Sequence, residues 1–104
     1  MKKIYWTGIS KDERIKAISE ITEIVDRYAI ILNFKKFSDI MLSLMLEVDE
    51  NMLNDLSNDL KKIMIVEGAD TNYSDSKLEC TVFFSISFTK GTGDLLIEVP
   101  NIPE

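Results

Sequence analysis

The sequence predicts a single α+β domain over residues 1–104, with two helices lying on one face of an antiparallel sheet. Two segments repeat apolar residues at three- and four-residue steps, the signature of a helix with one buried stripe. Several others alternate apolar and polar residues, as strands with one buried face do. The composition, 45% hydrophobic and 29% charged, supports one core of ordinary size.

Lys3 to Ile9 is rich in β-branched and aromatic residues, and Gly8 with Ser10 closes it as a first strand. Ser10 and Glu13 stand at the spacing of a capping box, in which each side chain satisfies a free backbone N–H at the start of a helix. Ile15, Ala17, Ile18, Ile21, Ile24, Val25 and Tyr28 then form an apolar stripe, opposite Lys16, Glu20, Glu23 and Arg27. From Ala29 to Phe37 that period is lost, and a second strand is expected. After a turn at Ser38-Asp39, Ile40, Leu42, Leu44, Leu46 and Val48 alternate with Met41, Ser43, Met45 and Glu47, which predicts a third strand.

Asp49 and Glu50 open a second helix and Lys61 and Lys62 close it, an order that complements the helix dipole. Its stripe is Met52, Leu53, Leu56, Leu60, Ile63 and Met64, and the alternative is that Ile63 to Val66 forms a short strand of its own. The polar run from Glu67 to Lys77 reads as a loop. Cys80, Val82, Phe84, Ile86 and Phe88 define a further strand. The Lys90 to Asp94 turn then leads to Leu95, Ile97 and Val99, which predicts a terminal hairpin. The order is that of a ferredoxin-like βαββαβ two-layer sandwich with an added C-terminal strand.

Composition narrows the function. There is no histidine, which removes the commonest general base near neutral pH and the usual imidazole metal ligand. Cys80 is the only cysteine, so no intramolecular disulfide can form, and its place on a strand face without a histidine reads as a core thiol rather than a nucleophile. A net charge of -6 repels phosphate backbones, and no apolar run reaches the length of a membrane helix. The basic, apolar start is interrupted too early for a signal peptide, so cytoplasmic residence is expected. The expectation is a non-enzymatic chain without metal or cofactor that engages neither nucleic acid nor membrane.

Two candidate sites emerge. A loop from Gly8 to Glu13, joining a strand to a helix N-terminus, offers backbone N–H groups to an anion, although the capping box already uses two such donors. The second is the sheet face away from the helices, where Tyr5, Met41, Met45 and Phe83, with Leu96, leave more apolar surface than a monomer normally exposes in one patch. Self-association through the sheet face or edge, as a homodimer, is the expected consequence. The alternative is that these side chains are singly exposed or covered by the loop and tail. Lys90-Gly91-Thr92-Gly93-Asp94 lacks the spacing and the following helix of a nucleotide loop and reads as a hairpin turn. The acidic pairs Asp12-Glu13 and Asp49-Glu50 are explained by helix dipoles.

From Lys3 to about Met64 the chain resembles an ACT domain. The likeness rests on the strand Lys3-Ile-Tyr-Trp-Thr-Gly8, the loop into a helix from Ser10, the strand Ala29-Ile-Ile-Leu-Asn33, the strand Ile40 to Val48 and the helix from Glu50. It implies a regulatory module that pairs and binds an amino acid beside the first loop, here Gly8, Ile9, Ser10, Lys11 and Asp12, with Asn33 nearby. Two departures are visible: Asp12-Glu13-Arg14 stands where the family usually has a glycine step, and the Glu67 to Lys77 loop interrupts the approach to the last strand. The alternative function is a dimerisation or protein-interaction module without a ligand.

Overall fold

A computed structural model describes residues 2–69 and 72–89. The elements run β1 (Lys2–Ser10), α1 (Arg14–Tyr28), β2 (Ala29–Ser38), β3 (Met41–Asp49), a 3-10 turn (Glu50–Met52), α2 (Leu53–Lys61), β4 (Ile65–Glu67) and β5 (Glu79–Phe88). The expected terminal hairpin and its turn, residues 90–99, lie outside the described residues.

The chain is α+β as expected, but the sheet is mixed. Its order is β2-β3-β5-β1-β4, with β5 parallel to β1 and antiparallel to β3, while β1–β4 and β2–β3 are antiparallel. The expectation of a wholly antiparallel sheet is thereby corrected. The order is compatible with a βαββαβ sandwich without reproducing it, because β5 lies between β3 and β1. The physical reason lies in β5 itself: Cys80, Val82, Phe84, Ile86 and Phe88 are all buried, three of them flanked by equally buried residues of β1 and β3. A strand that apolar stabilises the core most when both its edges are paired. Alternation fixes which face is buried but carries no information about neighbours.

The short strand at Ile65–Glu67 bears out the alternative reading of the Ile63 to Val66 segment. Lys62, Ile63 and Met64 donate to Asp59 and Leu60 carbonyls, so α2 ends in a tightened turn before β4 pairs with Thr7, Gly8 and Ile9. Gly68, at φ +91, follows β4; a Cβ there would lie 2.5 Å from the Tyr5 carbonyl oxygen, so this turn requires glycine.

One core joins both helices to one side of the sheet. Ala17, Ile21, Ile24 and Val25 of α1 and Leu53, Leu56 and Leu60 of α2 pack in a single cluster with Ile4, Trp6, Leu42, Leu44, Leu46, Val82 and Phe84. Ala69, after β4, belongs to that cluster and Tyr73, before β5, packs against it. The Asn54 amide donates to the Tyr73 carbonyl and accepts from the Tyr73 N–H, each at 3.1 Å, while Glu50 and Asn51 donate backbone N–H groups to Leu78 and Ser76. The described residues before β5, from Tyr73 to Leu78, therefore form a strap fastened to the 3-10 turn and α2.

Candidate functional site

The start of α1 differs from the capping box. Its N-cap is Glu13, whose carboxylate accepts from Ile15 N (2.9 Å) and Lys16 N (3.2 Å). Those two bonds, led by Ile15, hold the Glu13 carboxyl below its ordinary range. Ser10 ends β1 instead, and its hydroxyl accepts from Asp12 N. Gly8, Ile9 and Ser10 are thus strand residues, and the connection to α1 shortens to Lys11, Asp12 and Glu13. Gly8 faces the core, where a Cβ would meet Met64 Cε at 2.5 Å and Phe84 Cε1 at 2.9 Å. Of the helix donors that a carboxylate ligand would use here, Ile15 N and Lys16 N are already engaged by Glu13.

The face away from the helices brings the other candidates together. Strand register places Tyr5 beside Phe83, Phe83 beside Met45 and Met45 beside Asn33, so these four side chains form one row across β1, β5, β3 and β2. Tyr5 and Phe83 stack with centroids 5.1 Å apart and planes 16° from parallel, within the range of favourable offset stacking. Tyr5 is 67% exposed, so the stack is open to solvent. Met41 lies further along β3, opposite Ser87, and is exposed as well. Between Met41 and the aromatic row, Thr7, Ser85 and Ser43 form a hydroxyl row of their own.

Sequence reasoning overlooked β2 as a surface. It is an outer strand, and Ile30, Leu32, Phe34 and Phe37 all stay exposed along it, with Ile40 in the turn that follows. Irregularities in the ladder between Ile31 and Asn33 and between Lys36 and Ser38 shift the side-chain alternation, which is why the apolar residues of β2 fit neither one helical nor one strand face. The run of apolar residues without a period was itself the available signal.

It also overlooked the acidic end of the sheet. Glu47 and Asp49 on β3, Glu79 on β5 and Asp26 at the end of α1 line an open cleft of about 300 Å³ with Tyr28 and Ile30. The Glu79 carboxyl is pushed above its ordinary range first by the neighbouring Glu47 carboxylate, then by burial and the charge of Asp49. Glu50, by contrast, turns inward and binds Lys2 at 3.1 Å. Among the described residues no helix is long and apolar enough to cross a membrane.

Against this geometry, no protein-family model, curated protein or solved structure matches the chain.

Proposed function

We propose that this chain is a non-catalytic regulatory module that works by associating with a second copy of itself, with the bare side of its sheet and its outer strand as the working surfaces. The observation that carries the reading is the row of Tyr5, Phe83 and Met45 across three neighbouring strands, beside which the outer strand β2 keeps Ile30, Leu32, Phe34 and Phe37 exposed. A monomer in water seldom leaves apolar surface in one contiguous patch of this kind. Pairing removes it from water, and a twofold arrangement does so with a single self-complementary surface. The sequence resemblance of residues 3–64 to an ACT domain, a family of modules that pair, supports such a role.

Light scattering and sedimentation over a wide concentration range test the reading directly. The expected mass is twice 11.9 kDa at high concentration, falling toward one chain on dilution. A monomer at every concentration overturns it.

A second reading, in which the dimer also senses an amino acid, is favoured by the position of Asn33. Its polar amide stands at the β2 end of the aromatic row, where a small zwitterion would find both a hydrogen-bonding group and an apolar platform. Thermal unfolding in the presence of each standard amino acid tests this, because a ligand bound only by the folded state raises the midpoint. Unchanged midpoints at saturating ligand remove the sensing role and leave association standing.

A further inference from the structure

The outer strand β2 separates charge along its length. At one end Lys35 and Lys36 are exposed; among the described residues neither forms an ion pair, and the Lys35 ammonium rests over the Phe37 ring at 5.2 Å. At the other end, where β2 begins at Ala29 and Ile30, lies the cleft lined by Asp26, Glu47, Asp49 and Glu79. No cation faces those carboxylates among the residues lining that cleft. Glu47 and Glu79 stand on the same face of adjacent strands, and that crowding of like charges raises the Glu79 carboxyl above its ordinary range.

An edge strand with unpaired backbone groups and exposed apolar side chains is a template for a further strand. Resting on the self-association reading above, we infer that two copies pair β2 against β2 in antiparallel fashion, continuing the sheet from one protomer into the next. Antiparallel pairing reverses the second β2, and this carries the partner copy's lysines to the acidic end of the first. The face assignments agree with that placement. Lys35 pairs with Ser43 and Glu47 with Ile30, and Ser43 and Glu47 share the open face of β3, so Lys35 from a second copy approaches Glu47 on that face. Lys36 pairs with Leu42, on the helix side, as Asp26 belongs to α1. Twofold symmetry repeats both contacts. The same operation brings two Asn33 side chains and two aromatic rows toward the middle of one continuous surface.

A charge-swap experiment on the full chain tests the seam. Lys35→Glu with Lys36→Glu makes one variant, and Asp26→Lys with Glu47→Lys makes the other; all four positions are exposed or half-exposed, and circular dichroism checks that both fold. Each variant alone places like charges across both contacts, so its dimer dissociation constant is expected to rise at least about tenfold. An equimolar mixture places opposite charges across both contacts and is expected to restore the dimer as a heterodimer. Hydrogen exchange of the unmutated chain gives a reading that does not depend on the variants. Amides of β2 directed away from β3 should be protected above the dissociation constant and exchange freely below it.

If the unmutated chain is monomeric throughout, both the seam and the association reading fail. If it dimerises but the two variants dimerise as tightly, or the mixture gains nothing over either alone, the seam is overturned and association stands. Protection of the outer β2 amides that does not change with concentration also overturns the seam, because it means that the chain's own residues cover the edge.

Discussion

The indole N–H of Trp6 donates to the phenolic oxygen of Tyr73 across 3.2 Å, joining β1 to the strap between β4 and β5. Trp6 is 1% exposed, so water cannot replace this acceptor without opening the core. The Tyr73 hydroxyl in turn lies within 3.4 Å of the Gly68 carbonyl. Tyr73→Phe keeps the ring and deletes the acceptor. Stranding a buried donor costs about 1–3 kcal/mol, so urea unfolding of this variant should show a lower midpoint with an unchanged slope. An unchanged midpoint would mean that the strap contributes no stability through this bond.

Gly8 supplies a second test, because the space beside it is already taken. Met64 Cε, the far end of a flexible side chain, can move aside for a new methyl group, but the Phe84 ring, fully buried in the central strand, cannot do so cheaply. Gly8→Ala is expected to destabilise by about 1–3 kcal/mol, the usual cost of overpacking. Combining it with Met64→Ala should give less than the sum of the two single losses, since the second change vacates part of the contested space. Strict additivity would show that the conflict lies with Phe84 alone.

What the sequence disclosed follows from what periodicity can encode. The stripe from Ile15 to Tyr28 and the alternation from Ile40 to Val48 are local patterns, and they placed α1 and β3 within a few residues. The row of Tyr5, Phe83 and Met45 was legible because alternation assigns each residue to a face. The neighbours of β5 were not, since nothing local to Cys80–Phe88 states that both its edges are filled by strands from far earlier in the chain. The helix start was misread because Ser10 and Glu13 satisfy a spacing rule that the fold does not use: β1 runs on through Ser10, and Glu13 takes over the cap. The acidic end was invisible for a similar reason, as Asp26, Glu47 and Glu79 are scattered in sequence and meet only through register and helix placement.

Acid should weaken the fold through identifiable carboxylates. Glu50 is held below its ordinary value of 4.5 chiefly by its hydrogen bond from Lys2, with burial opposing and Ser74 assisting. Glu13, bonded to backbone N–H groups, and Asp59, bonded first by Tyr28 and then by Lys62, are lowered as well. A depressed folded-state value means that the ionised form is favoured by the fold. Its contribution is therefore present above the unfolded value and is lost as pH falls through the folded one. Glu50→Gln should lower the thermal midpoint near neutral pH, and its difference from the unmutated chain should shrink as pH drops below 4.5. A difference that stays constant across that range would show that the charge of Glu50 is not what holds the strap.

Cys80 turns the central position of β5 into something measurable. The thiol is fully buried, and that burial, reinforced by the charge of Glu50, pushes its pKa upward, so little reactive thiolate exists in the folded chain. β5 is hydrogen-bonded to β1 on one side and β3 on the other. A strand at the edge of a sheet can peel away by local opening, whereas a central one is released only when the sheet comes apart. Reaction with a thiol reagent in native buffer should accordingly be far slower than that of an exposed cysteine. When opening is fast compared with labelling, the free energy obtained from the rate should equal that of global unfolding measured with urea. Gly8→Ala should then accelerate labelling by the factor its stability loss dictates, about tenfold for each 1.4 kcal/mol. Labelling well ahead of global unfolding would place β5 at an accessible edge and contradict the strand order on which the β2 seam depends.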